Sequence, residues 1–190
     1  MGRRGDWLFV SMQRLDESWW KAYDPEADRW HAIPPTSMPS MNGGRHVGFS
    51  CVSVCNRFLV IGGLYFDCGR LVVTNQVFSF DPYRQEWSVL ASMSTPRAKF
   101  ACSVISDKLY VGGGKNLAHN SQRCLIPLSS AEVYDPVKNR WEDLPTMPNP
   151  RYGRFGISYN SKFYFRTMVP ILIYDGETTD MFIFSPLDGQ

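Results

Sequence analysis

YDPVKNRW, residues 134–141, is the stretch whose reading decides the fold: an apolar strand end, an Asp-Pro turn, polar residues and a Trp. The same frame recurs as YDPEADRW at 23–30 and FDPYRQEW at 80–87. A decayed copy, YDGETTDM at 174–181, keeps Tyr174 and Asp175 but carries Gly176 for Pro and Met181 for Trp. Tyr23, Phe80, Tyr134 and Tyr174 stand 57, 54 and 40 residues apart. A period of about 40–55 residues marks propellers and arrays in which each repeat is one small sheet. Agreement extends outward from the frame. Three residues beyond Trp30, Trp87, Trp141 and Met181 come Ile33, Leu90, Leu144 and Phe184; six beyond Trp87 and Trp141 come Met93 and Met147; ten beyond come Arg97 and Arg151. Upstream, RFLVIGG (57–63) and KLYVGGG (108–114) end in glycine pairs.

Phe58–Ile61, Leu109–Val111 and Phe163–Phe165 are short aromatic or β-branched runs bounded by polar residues and glycine, the pattern of buried strands. Asp24, Asp81 and Asp135 turn the chain by accepting nearby backbone N–H groups, the Pro after each pre-sets φ, and the Trp of the frame opens the next strand. The Trp of each frame is expected to lay its ring on the buried face. Gly62-Gly63 and Gly112-Gly113 lack side chains, which permits close approach of backbone or a ring. Each unit therefore reads as a four-stranded antiparallel meander, strands A to D from the inside outward. In the third unit A falls at 98–105, B at 108–112, C at 130–135 and D at 140–145. A sheet apolar on both faces cannot bury itself, so the units must stack around an axis.

The glycine pair, the Tyr-Asp-Pro turn, the spaced Trp and the basic residue opening the next unit resemble kelch repeats of a β-propeller. The lead DWLFV followed by WWKAYDPEADRWHAIPP is similar to the propeller entry of plant F-box/kelch-repeat proteins. The resemblance implies an all-β fold: a partial, open or incomplete kelch propeller of three to four blades over residues 1–190. Its units fall at 7–42, 43–95, 96–149 and 150–190, the last degenerate. A ring of this kind usually needs six or seven blades, so exposed terminal faces and self-association through them are expected. No F-box helices precede Trp7, and the glycine-pair positions of the first and last copies read Ser11-Met12 and Arg166-Thr167.

Composition narrows the function. With 44% hydrophobic residues burial is not limiting, and a net charge of +2 argues against nucleic-acid or membrane binding by bulk electrostatics. No apolar run approaches a bilayer span, and no apolar segment follows Arg3-Arg4 as a signal peptide requires. Five cysteines, Cys51, Cys55, Cys68, Cys102 and Cys124, form no CxxC pair and fit reduced thiols of the cytoplasm or nucleus. Cys51 and Cys102 occupy matching positions and read as small core residues.

Basic side chains recur at the start of strand A: His46 in HVG, Lys99 in KFA and Arg154 in RFG, with Arg45, Arg97 and Arg151 in the turns before them. Around a propeller these six would ring one face and suit an acidic partner peptide; the competing reading has Arg97 and Arg151 holding adjacent blades together. Long B–C loops at 64–73 and 114–129 are the second expected recognition element, the latter polar. Enzyme readings fare worse. GGGKN at 112–116 lacks the first Gly and the Ser/Thr of a phosphate loop, and His31, His46 and His119 show no metal-ligand spacing. No cofactor is expected. The resemblance implies a non-enzymatic protein-interaction module, the substrate-recognition half of an F-box/kelch ubiquitin-ligase receptor, docking to the ligase adaptor only with an F-box restored. The alternatives are a kelch scaffold for cytoskeletal or signalling partners and, more remotely, a propeller oxidase or cyclase.

Overall fold

The computed structural model describes residues 7–13, 18–33, 46–119, 121, 123–147, 155–159, 162–166 and 181–184. Its described secondary structure is entirely β. The first sheet contains β1 (Leu8–Gln13), β2 (Ser18–Asp24) and β3 (Arg29–Ala32), in that spatial order. The second contains β4 (Ser50–Val54) and β5 (Arg57–Ile61), a hairpin of β6 (Leu64–Asp67) and β7 (Arg70–Val73), then β8 (Val77–Asp81) and β9 (Glu86–Leu90). The third repeats it with β10 (Ala101–Ile105), β11 (Lys108–Gly112), the hairpin β12 (Lys115–Leu117) and β13 (Leu125–Pro127), β14 (Ala131–Asp135) and β15 (Arg140–Leu144). The orders β4-β5-β8-β9 and β10-β11-β14-β15 are antiparallel meanders, with each hairpin forming its own two-stranded sheet. A fourth sheet holds β16 (Phe155–Tyr159), β17 (Lys162–Arg166) and β18 (Met181–Phe184). The leading strands β4, β10 and β16 lie side by side, so the sheets fan out from one axis.

Strand B of each full unit is apolar on both faces, and alternation sends successive residues to different neighbours. Phe58 and Val60 of β5 pack with Phe9, Trp20, Ala22 and Ile33 of the first sheet. Leu59 and Ile61 pack with Phe100, Leu109 and Val111 of the third. Tyr110, between Leu109 and Val111, turns instead toward Phe163 of the fourth. Among the described residues these cores therefore lie between the main sheets rather than within one.

The frame is built the same way three times. Asp24 Oδ1 accepts the backbone N–H of Glu26 and Ala27, Asp81 Oδ1 those of Tyr83 and Arg84, and Asp135 Oδ1 those of Val137 and Lys138. Asp28, Gln85 and Asn139 then take positive φ of 47°, 57° and 48° to close each turn. Ring pairs Tyr23–Trp30, Phe80–Trp87 and Tyr134–Trp141 sit 5.2, 5.1 and 5.1 Å apart. The surroundings differ. Trp141 lies against the second sheet, 8% exposed, with Nε1–H donating to Ala91 O at 2.8 Å, and Trp87 packs toward the first sheet. Trp30 is 52% exposed, contrary to the expectation of a buried ring. Each frame Trp faces the preceding sheet, and no described residue stands before the first.

Three further expectations are corrected. The equivalent glycine pairs are Gly62-Gly63 (φ 56° and 104°) and Gly113-Gly114 (63° and 97°), because Gly112 still belongs to β11 opposite Ala101 and Ala131. A Cβ on Gly62 would stand 2.5 Å from Arg97 O, and one on Gly114 2.7 Å from Phe100 Cβ, so both positions exclude side chains. The long B–C connections are hairpins rather than irregular loops. In the last unit β18 pairs directly with β17, the place of strand C, although the sequence frame puts 181–184 in strand D. Tyr174 and Asp175 lie outside the described residues.

Trp141→Ala is expected to lower unfolding free energy by about 3–5 kcal/mol, as for large buried aromatics, and Trp30→Ala by less than about 1 kcal/mol. Urea titrations of the two variants beside the parent check this, and equal losses would contradict the directional stacking.

Candidate functional site

The end of the sheets that carries the glycine pairs also carries both hairpins and the crossings between units. Asn75 Nδ2–H donates to Met93 O, Met93 N–H to Asn75 O, and Met147 N–H repeats the latter bond to Ser129 O. Met93 and Met147 are buried, which explains their fixed place in the repeat. Here the predicted basic ring is taken apart. Arg97 is fully buried: it pairs with the equally buried Glu132, and its Nη1–H groups donate to Gly113 O at 2.8 Å and Ser130 O at 3.1 Å. Glu132 in turn accepts the backbone N–H groups of Ser94 and Thr95, fastening the crossing from the second unit to the third. Burial lowers the Arg97 pKa, opposed by the Glu132 carboxylate. Arg97 thus keeps its donors inside the protein, Nη1 and Nη2 bonded and Nε–H buried without a partner among the described residues, and presents none to a partner.

His46 is the counterpart of Arg97, not of Lys99. Each lies 16 residues before the glycine whose carbonyl it meets, His46 Nε2 at 2.9 Å from Gly62 O. Where the third unit has Glu132 the second has Phe78, so no carboxylate awaits a cation there, and the smaller, neutral imidazole replaces guanidinium. Its ring packs 5.0 Å from Phe49, and Nδ1 is buried without a hydrogen-bond partner among the described residues. Burial pushes its pKa down, partly offset by the bond to Gly62. Lys99 matches Gly48: both hold positive φ, 55° and 70°, and the Lys99 N–H donates to Gly48 O at 2.7 Å. Lys99 is half-buried. Arg45, Arg151 and Arg154 lie outside the described residues, so the structure brings together His46, Arg97 and Lys99, and exposes none of these fully.

Among the described residues the pair of hairpins stands exposed at this end. Leu64, Leu71 and Val73 of β6–β7 and Leu117 and Leu125 of β12–β13 share a small core with Val47 and Ala98. The bridges Val47–Leu64 and Ala98–Lys115 tie each hairpin to the strand that opens its unit. Cys68 and Gly69, at φ 47° and 79°, make the two-residue turn of the first. On this base Phe66 (58%) and Ile126 (44%) are exposed, as are Arg70, His119 and Arg123. Sequence reasoning picked the second segment for its polarity but missed Phe66 and Ile126, whose signal was only an apolar residue out of phase in a short alternation. Among the described residues no group of three or more His, Cys, Asp or Glu side chains could hold a metal ion, and no helix is long and apolar enough to cross a membrane.

The family model described as Kelch motif matches residues 45–94 and 96–148. The chain belongs to the kelch-repeat family. F-box/kelch-repeat protein At1g16250 of Arabidopsis thaliana is 49% identical over 169 residues, 86% of this chain and 42% of the relative. F-box/kelch-repeat protein At1g67480 of the same plant is 32% identical over 165 residues, 86% of this chain and 41% of the relative. Kelch-like protein 36 of Mus musculus is 32% identical over 143 residues, 74% and 21%. This kelch chain thus spans about two-fifths of the plant relatives' length. The solved structure titled "Structure of YjhT" superposes with a TM-score of 0.63 at 16% identity, over 90% of this chain and 50% of that one, which supports the fold alone.

Removing one partner of a buried ion pair strands the other charge, at about 3–5 kcal/mol. Arg97→Met and Glu132→Leu are each expected to cost about that much, and the double variant less than the sum; denaturation of the full cycle measures the coupling. For His46 the sign is set by its depressed folded pKa. Between that value and the unfolded 6.5 the unfolded chain binds more protons, so stability is intact above 6.5 and falls with pH below it, by at most about 1.4 kcal/mol per pH unit. Midpoints at pH 7.5 and 5.5 should differ more for the parent than for His46→Gln.

Proposed function

We propose that this kelch chain is the target-recognition part of an F-box/kelch ubiquitin-ligase receptor, working without catalysis of its own in the cytoplasm or nucleus. Kelch repeats indicate protein–protein interaction, and the likeness to an F-box/kelch-repeat protein at 49% identity supports the ligase setting. The single structural observation that carries the interaction role is the two-hairpin platform, where Phe66 and Ile126 stand exposed among Arg70, His119 and Arg123 on rigid supporting sheets. Exposed large apolar side chains set in a polar, basic rim are the anatomy of an interface: anchors at the centre and charges that steer an acidic partner at the edge. Lys99, Arg45, Arg151 and Arg154 belong to this reading as further basic contacts for the same partner. The similarity to Kelch-like protein 36 also favours a second reading, a kelch scaffold serving other assemblies.

The decisive measurement is proximity capture with an affinity-tagged chain, comparing the parent with a Phe66→Glu/Ile126→Glu variant. Partners that depend on the hairpins should fall at least about tenfold, since two buried anchors are worth more than the 1.4 kcal/mol of one decade. Undiminished capture would place the interface elsewhere. Recovery of ligase-adaptor subunits when an F-box is fused ahead of Trp7, and their loss without it, separates the ligase setting from the scaffold reading.

A further inference from the structure

At the opposite end of the sheets, where the A–B and C–D turns gather, a cleft of about 300 Å³ crosses three consecutive units. Trp7 and Phe9 of the first sheet form one wall, Pro82 and Tyr83 of the second unit's Asp-Pro turn another, and the rim carries Arg57 and Asp107. We propose that this cleft binds an extended, proline-bearing acidic peptide of a partner protein, a site separate from the hairpin platform.

The aromatic wall selects proline. The Trp7 and Tyr83 rings stand 6.0 Å apart at 70°, edge to face. Trp7 also packs on His31 at 5.1 Å, and Tyr83 is 45% exposed on its turn. The two rings meet edge to face beside Pro82 and make an apolar corner on the wall of the cleft. A pyrrolidine ring laid in such a corner buries flat apolar surface and brings no N–H that would need a partner there. Proline-rich segments are also preformed as polyproline II, so little chain entropy is lost on docking into an aromatic groove. The volume sits at the lower limit for a ligand site and holds a short anchor rather than a long segment.

Charge sets the second requirement. Arg57 is exposed, and among the described residues it has no ion-pair partner. Its planar donor fork suits a carboxylate. Asp107 shares the rim; burial pushes the Cys55 thiol pKa up, Asp107 adds to the rise and Arg57 opposes it, so Cys55 lies within reach of both charges. A peptide carboxylate therefore binds on the Arg57 side against repulsion from Asp107, which predicts a gain on removing that charge. Cys55 belongs to a turn with positive φ at both Cys55 (50°) and Asn56 (58°), which fixes it at the cleft's lip as a reporter.

The test uses the whole chain and a fluorescein-labelled decapeptide with a Glu-Pro-Pro core in glycine and serine, followed by anisotropy. Saturable binding is expected on the order of 10–100 µM. Tyr83→Ala and Arg57→Ala, both at exposed positions, should each weaken it about tenfold or more, and Asp107→Asn should tighten it severalfold. A Gln-Pro-Pro peptide should bind about tenfold more weakly to the parent but equally to Arg57→Ala, and Glu-Ala-Ala should lose the same factor by lacking proline. The peptide should slow iodoacetamide labelling of Cys55 and leave Cys68, at the far hairpin tip, unchanged; Phe66→Glu should not alter binding. Absence of saturation at about 1 mM, equal affinity for Glu-Ala-Ala, or indifference to both Tyr83→Ala and Arg57→Ala overturns the proposal without touching the platform. Denaturation midpoints of the variants establish that they are folded.

Discussion

Everything in this structure follows from strands that are apolar on both faces. In β5, Phe58 and Val60 look one way and Leu59 and Ile61 the other, and each pair meets a different sheet. A lone meander of this composition would leave one complete core surface in water, a patch of the size that drives association. The units must therefore stack, and because β4, β10 and β16 adjoin while the outer strands diverge, the stack is a fan around an axis. The polar parts of the repeat serve this packing rather than compete with it. The Asp side chain closes the C–D turn, the Trp seals the seam to the preceding sheet, and Met93 and Met147 plug the crossing.

Against that background the Arg97–Glu132 pair is informative. A buried ion pair is seldom the most stable way to fill space, because desolvation offsets most of the Coulomb gain. What this one adds is register. It joins the crossing at Ser94 and Thr95, the glycine turn at Gly113 and strand β14 through one set of directional bonds. The preceding unit shows the same geometry with other chemistry, His46 reaching Gly62 O while the register puts an apolar Phe78 in the place of Glu132. The constraint common to both units is a donor aimed at the first glycine carbonyl; charge is optional and appears only where a carboxylate exists to meet it.

The fold was legible because the repeat states it several times. Apolar-Asp-turn-Trp spacing, alternating B strands and glycine-ended runs each point to the same sheet, and agreement across levels is what marks a specified structure. The basic ring was not legible, for a physical reason. Position in a repeat tells which residues are equivalent, but not whether a side chain points to solvent or into the seam between sheets. Arg97 and Lys99 differ by two residues and by complete against partial burial. A one-residue slip in the glycine run, Gly112-Gly113 for Gly113-Gly114, passes unnoticed in a string of three glycines, and only the φ values resolve it. The hairpins were hidden because β12 and β13 are three residues each, too short for alternation to register.

The two ends of the fan carry different surfaces for the same structural reason. Turns between paired strands are short: Cys55-Asn56 and Ser106-Asp107 adopt positive φ at both positions, and the Asp-Pro turns are fixed by their own side chains. That end is consequently low and rigid, and its recesses are those left between sheets, such as the cleft beside Trp7 and Tyr83. The other end must carry the connections from strand B to strand C, which here have room to fold into hairpins with a shared core. Those segments can vary in length and tip without disturbing the seams, because their anchor to the sheet is one bridge and the glycine turn beneath it. A scaffold built this way keeps its packing constant at one end and can change its surface at the other, which is what recognition of different partners by one repeat architecture requires.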